Sequence, residues 1–372
     1  SKENLLGVVI LLKEKNMQVQ KNTFIKFPST GQFRDAIKQV QSTAKYHNVP
    51  VPKVRLQGTV KLHGTNAAVV INQKGEWWCQ SRERIITPES DNAGFAAWVY
   101  GNKEYWDNVA IDLSGGILKD GECVQIYGEW CGGNIQKGVG LSYLPKMFVV
   151  FAIRFSEDAE GKEWHSTRSW ESFFDERGRP DNIYFSHNFP TYSVEIDFDT
   201  PTLVQNQLVA LTESVEKDCP VARQLLGPDE ARELIGEGIF WSVSPEVNLD
   251  DNPDISQELY TTLCDLRFKV KGEKHSASKV KTIAPVDEEK VKSVQEFVDY
   301  ACTENRLKQG LDKLTEMGLE HSVRSTGDYL RWVVGDILKE ELSTMIASGI
   351  EPKDVNGAIS KKAREFFMSN LE

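Results

Sequence analysis

The spacing of apolar residues changes once along this chain, and that change limits the folds open to it. From about residue 20 to 285 they fall in short runs rich in valine, isoleucine and aromatics, broken by glycine, asparagine, aspartate and proline. That is the pattern of β-strands joined by turns. Residues 59–61, 67–71, 122–129 and 147–155 are of this kind, and occasional helices interrupt them, one of them marked by Phe33, Ile37 and Val40 at helical spacing. From Asp287 onward Val291, Val294, Val298 and Ala301 recur at helical spacing, as do Tyr329, Leu330, Val333, Val334, Ile337 and Leu338. The fold expected is α+β, ending in an all-helical part. A length of 372 residues exceeds what one hydrophobic core usually serves, so two domains are expected, 1–285 and 286–372. The joining segment, 272–285, is hydrophilic and carries Lys274, His275, Lys279 and Lys281, as an exposed basic hinge would.

Composition excludes several classes. Apolar residues make up 40% and charged residues 27% of the chain, the balance of a globular protein with a real core. The longest apolar stretches, such as the one around Phe148 to Phe155, fall well short of the roughly 20 residues of a membrane-spanning helix, so no membrane association is expected. The run from Leu5 to Leu12 has charges directly after it and no small-residue cleavage site; it reads as a buried strand or helix. Six cysteines without a Cys-x-x-Cys pair argue against zinc and against a disulfide framework, and favour a reducing, cytoplasmic setting. The net charge of -11 does not exclude a polyanionic partner, because local fields, not the sum, attract phosphates. No obligate protein partner is evident.

The most informative stretch is Lys61-Leu62-His63-Gly64-Thr65-Asn66, set between two β-prone runs. A lysine at a strand end is held rigidly, and Gly64 lets the backbone turn sharply and approach a phosphate. Alone, Lys-x-x-Gly is a common turn. Here companions follow in order: Ser81-Arg82-Glu83, Tyr127-Gly128-Glu129, Phe148-Val149-Val150-Phe151, Glu237-Gly238 and Lys269-Val270-Lys271.

This ordered set resembles the six-motif signature of covalent nucleotidyltransferases, the superfamily of ATP-dependent ligases and capping enzymes. The His-Gly-Thr-Asn continuation, Tyr127-Gly128-Glu129-Trp130-Cys131-Gly132 with Ile135-Gln136-Lys137, and Phe151-Ala152-Ile153 are similar to the RNA ligase 2 branch, which includes a phage nick-sealing ligase and kinetoplastid RNA-editing ligases. The similarity runs from about Gly58 to Lys271, and more weakly into the helical tail. It implies a nucleotidyltransferase (ATP-grasp-like ligase) domain of antiparallel sheets with flanking helices, followed by the small helical domain. It also implies a three-step reaction on ATP and RNA ends, at nicks in a duplex, as in RNA repair. Lys61 would attack the α-phosphate and release pyrophosphate, AMP would pass to an RNA 5′-phosphate, and a 3′-hydroxyl would then displace AMP.

A free amine of pKa about 10.4 is protonated at neutral pH, so the pKa of a nucleophilic Lys61 has to fall. Lys269 and Lys271 alternate on one strand and share a face; near Lys61 they would disfavour its protonation and bind the α-phosphate. The resemblance implies that Arg82, ahead of its rival Arg84, contacts AMP or the 5′-phosphate, that Glu129 takes the ribose hydroxyls, and that Phe151 stacks on adenine. It gives Glu237 the divalent metal. Magnesium prefers oxygen ligands and keeps most of its waters, so one carboxylate with phosphate oxygens would suffice. The glycines flanking Glu237 would allow close approach of a ligand. Asn66 would orient phosphate or sugar, and His63 is given no acid or base task. Val60 stands where the branch usually has glutamate, so backbone groups of Val60 and Leu62 would help read the adenine. Phe240-Trp241-Ser242 departs from the usual aliphatic and lysine ending of that motif. The resemblance implies that the tail helps engage the nicked duplex; its runs 306–313 and 361–364 supply basic character, although charge runs on helices are usually solvated faces. The helical tail, in place of an OB-fold, argues against a DNA ligase or a GTP-using capping enzyme. Retention of Lys61, Glu129, Glu237, Lys269 and Lys271 argues against a non-catalytic nucleic-acid-binding module.

Overall fold

The computed structural model describes residues 19–156, 163–276 and 294–371. The apolar run at 5–12, Val291, the hinge residues 277–285 and the expected 285/286 boundary lie outside them. The strands are β1 Lys53–Lys61, β2 Thr65–Asn72, β3 Trp77–Ser81, β4 Ile85–Ile86, β5 Cys123–Cys131, β6 Met147–Ser156, β7 Glu163–His165, β8 Ile183–Phe185, β9 Thr191–Asp197, β10 Gly238–Val243 and β11 Arg267–Lys271. Helices of eight residues or more are α1 Phe33–His47, α2 Lys103–Asp112, α3 Gln205–Lys217, α4 Val294–Ala301, α5 Glu304–Glu316, α6 Thr326–Glu340 and α7 Pro352–Ser369. The α+β class expected from the sequence is what the chain adopts.

The chain divides into two compact units. One comprises Ser1–Ser29, His63–Lys137 and Leu141–Phe189; the other comprises Thr30–Leu62, Gly138–Gly140 and Pro190–Glu372. The first holds a seven-stranded sheet in the order β4-β3-β2-β5-β6-β7, with β8 beside β6. Its ladders are antiparallel except that of β6 with β8. Strand β2 is buried almost throughout because both faces are covered, which explains its nearly continuous apolar run. One face meets α2 through Trp106 and Val109. Against the other lies the segment holding Ile25 and Phe27, fixed by the Gln80 side chain, which exchanges hydrogen bonds with the Ile25 backbone, and by Tyr127 Oη donating to Ile25 O at 2.8 Å.

The second unit holds the antiparallel sheet β11-β10-β1-β9. Val54, Leu56 and Val60 of β1 alternate inward as a half-buried strand should. Gly58 is among them because the Trp241 ring fills the space a Cβ would take, at 2.8 Å. Helix α1, on which Phe33, Ile37 and Val40 are all buried, covers this sheet, with Phe33 and Phe268 ring centroids 5.0 Å apart.

Helices α4 to α7 belong to this same unit, around Phe297, Leu314, Tyr329, Val333, Ile359 and Phe367. Within them Arg306, fully buried, donates to Asp336 at 2.9 Å and to Glu341 at 3.1 Å. Glu341, also fully buried, further accepts from Arg34 of α1 at 3.3 Å and from Tyr300 Oη at 2.9 Å. The basic character read from 306–313 is therefore neutralised within the helices. Arg306 is a core ion, and Lys308 and Lys313 pair with Glu304 and Glu316 on their own helix. Glu341→Ala would leave two buried guanidiniums short of a counter-charge, an expected loss of about 3–5 kcal/mol. Denaturant unfolding of the full chain checks this, and Glu341→Gln should lose less.

Candidate active site

The antiparallel register of the second unit builds a row of three residues. Lys61 of β1 stands opposite Gly238 of β10, and Gly238 opposite Lys271 of β11. The next row on the same face is Thr59, Phe240 and Lys269. Between the two lysines of the first row the middle strand carries no side chain. A Cβ at Gly238 would lie 2.1 Å from the Val270 carbonyl, and one at Gly236 would lie 2.3 Å from that of Val215. The glycines around Glu237 are thus explained by backbone packing, where the sequence suggested ligand approach.

Glu237 is fixed by this packing. Gly236 donates to the Glu216 carbonyl at 3.1 Å, and the Glu237 carbonyl accepts from Gly272 at 2.9 Å. Its side chain is 2% exposed and bridges the lysines, Oε2 to Lys61 Nζ at 2.9 Å and Oε1 to Lys271 Nζ at 3.0 Å. The sequence suggested only like charge from Lys269 and Lys271 beside Lys61; the structure also sets a carboxylate between Lys61 and Lys271. The Val60 and Leu62 side chains are buried in the interior, so a nucleotide can meet these two residues only through their backbone.

The chain passes into the other unit at Leu62–His63. There Gly64 donates its amide to Glu129 Oε1 at 3.0 Å, and its carbonyl accepts from Gln136 Nε2 at 3.3 Å. A Cβ at Gly64 would sit 2.3 Å from the Trp130 carbonyl, so only glycine lets this turn lie against β5. Asn66 stands opposite Glu129 in the ladder. Phe151 is the extra residue of a β-bulge: Tyr127 pairs with Ala152 and Gly128 with Val150, leaving Phe151 between them. Such a bulge re-aims a side chain, and the half-buried Phe151 ring meets Phe27 edge-on at 5.3 Å. Half-buried Arg82 occupies the bend between β3 and β4. Arg84 is committed elsewhere, donating to Ser90 O at 2.7 Å and Asp91 O at 2.8 Å.

The structure thus brings Lys61, Glu237 and Lys271 into contact, with Lys269 on the same face, and in the other unit pairs Asn66 with Glu129 across two strands. Gln136 and Glu216 were not singled out from the sequence as site residues. Gln136 lay within a family-like stretch, whereas Glu216 had no signal, since its link to Gly236 is made by the backbone. Among the described residues no group of three or more His, Cys, Asp or Glu could hold a metal ion.

The family model for RNA ligase matches residues 54–251, a span that includes Lys61, Glu129 and Glu237. The chain belongs to the RNA ligase family. Solved structures similar to it include three of the Naegleria gruberi RNA ligase. A lysine-to-methionine variant with AMP and manganese shares 13% identity over 68% of this chain and 57% of that one, at a TM-score of 0.42. The complex with pyrophosphate shares 13% over 69% and 59%, at 0.42, and a glutamate-to-alanine variant with ATP and manganese shares 13% over 69% and 61%, at 0.42. The chain thus spans about three fifths of the length of these structures. Comparison with curated proteins finds no match. No helix among the described residues is long and apolar enough to cross a membrane.

Proposed function

We propose that this chain is an ATP-dependent RNA ligase that joins 3′-hydroxyl and 5′-phosphate RNA ends, at nicks in a duplex, through lysyl-AMP and RNA-adenylate intermediates. The observation that carries the reading is the Glu237 carboxylate held between Lys61 and Lys271 on one sheet face. It couples the nucleophile to the two groups that phosphoryl transfer needs, a cation to hold phosphate oxygens and a carboxylate to hold a divalent metal. A Mg2+ ion bound at Glu237 would neutralise phosphate charge. With that carboxylate so occupied, Lys61 loses the partner that favours its protonated form, and its amine can attack the α-phosphate. Lys271 and Lys269 then hold the phosphoryl oxygens as charge builds on them. Arg82 serves the AMP or 5′-phosphate, Glu129 the ribose, Asn66 the phosphate or sugar, and Phe151 the adenine face. Residues 1–285 are the adenylyltransferase domain and 286–372 the helical domain that engages nicked RNA. All six cysteines are free thiols, which supports a cytoplasmic protein.

Incubation with α-labelled nucleotide and magnesium tests the donor. ATP should label the chain covalently, GTP at least 10-fold less, and a chelator should abolish the label. Nicked duplexes then test the acceptor, with RNA nicks sealed faster than DNA nicks. Absence of label from ATP, or preference for GTP, would overturn the reading.

A further inference from the structure

Helix α6 carries Asp336 and Glu340 four residues apart in its last turns, a spacing that places both on one side of the helix. Nothing in the reaction outlined above uses them. Glu340 Oε2 accepts from Gln32 Nε2 at 2.8 Å, and its backbone carbonyl accepts from Arg34. Gln32 follows Gly31, whose carbonyl accepts the Lys269 amide at 3.0 Å and whose backbone bridges to Phe268. The Glu340 carboxylate is therefore tied to the residue next to the one that anchors the Lys269 backbone. The charges respond to one another. Burial works to raise the Glu340 pKa, but the Lys269 charge, followed by Arg306, holds it below the usual carboxylate range. At Asp336 burial prevails over Arg306 and the pKa lies above its usual value, with Lys269 among the groups drawing it down.

Lysine is a point charge on a flexible four-carbon stem, and ordering it against phosphate costs rotamer entropy unless a fixed counter-charge limits its range beforehand. Lys271 has such a counter-charge in Glu237. For Lys269, the hydrogen bonds of Gln32 to Glu340 and of the Lys269 amide to Gly31 bring an acid of the C-terminal helices to its strand.

We propose that Glu340 is a positioning residue that holds the Lys269 side chain ready for the nucleotide phosphates, so that nucleotide binding by the catalytic sheet depends on the C-terminal helical layer. The inference rests on the reading of Lys269 as a phosphate ligand.

The test is a double-substitution cycle in the full chain, read as ATP affinity with magnesium, a quantity measurable even in chains that take no label. Glu340→Ala and Glu340→Gln should each weaken ATP binding at least 5-fold when Lys269 is present. In a Lys269→Ala chain the same changes should cost less than 2-fold, because the residue they act through is gone. A loss of equal size in both backgrounds would mark Glu340 as merely structural, and no loss, or tighter binding, would equally overturn the proposal. If Glu340→Ala lowers the unfolding midpoint, Glu340→Gln decides by the same criterion, since its amide oxygen still accepts from Gln32. Failure of the ligase reading shows separately, as an unsubstituted chain that neither binds ATP nor takes its label.

Discussion

Lys61→Ala should take no AMP from labelled ATP, a loss of roughly a thousandfold or more that reaches the background of the assay, as expected when a covalent nucleophile is removed. Lys61→Arg should fail equally, because a guanidinium with pKa above about 12 offers no lone pair. Both variants should stay folded, since Lys61 is half-buried at the end of β1 and its strand pairing runs through the backbone. The same two chains should still seal RNA that already carries a 5′-adenylate, because the last step uses the RNA 3′-hydroxyl and needs no lysine nucleophile. Labelling gels and sealing of pre-adenylated nicks check both halves. Label persisting on Lys61→Ala would place the nucleophile elsewhere, whatever the sealing result.

The second large effect is expected at Glu237. Replacement by alanine or glutamine should slow labelling by about 100- to 1,000-fold, the scale expected for loss of one preorganised electrostatic group. Two opposed consequences meet at this residue. Removing the carboxylate takes away the partner that keeps Lys61 protonated, which by itself would raise the supply of free amine at neutral pH. It also takes away the oxygen ligand for the divalent ion and the anchor that aligns Lys61 with Lys271. A net loss of rate means that metal binding and alignment outweigh amine supply; a net gain would assign Glu237 a purely restraining role and sink its place in the chemistry. Glu237→Gln keeps the shape and discards the charge. If glutamine and alanine fall together, charge is what matters. The dependence of rate on magnesium concentration should flatten in both.

Much of this site was legible in the linear chain. Lys61 could be singled out there because six short motifs in fixed order are far more specific than any one of them, and the shared face of Lys269 and Lys271 follows from the two-residue period of a strand. Helix α1 and the C-terminal helices were also legible, since apolar residues at intervals of three and four announce a buried helical face. Arg82 against Arg84 was argued from motif alignment. The loop geometry adds a physical reason, because Arg84 is spent on the carbonyls of Ser90 and Asp91.

What could not be read has one common cause: it depends on which residues are opposite one another across strands or helices far apart in sequence. Arg306 looks like a surface cation in a basic run until Asp336 and Glu341, 30 and 35 residues away, are found to bury it. Phe151 looks like an ordinary core aromatic until the register slip beside Tyr127 makes it a bulge.

By itself the amino-acid order determined the class of fold and the switch from strands to helices, because local periodicity and residue type are properties of neighbours in the chain. Only the tertiary structure decided how the lysines of the catalytic sheet are placed and held. Glu237 lies 176 residues from Lys61, and no local pattern could state that its carboxylate would stand between two lysines, so that the expected mutual repulsion of cations gives way to a shared anion.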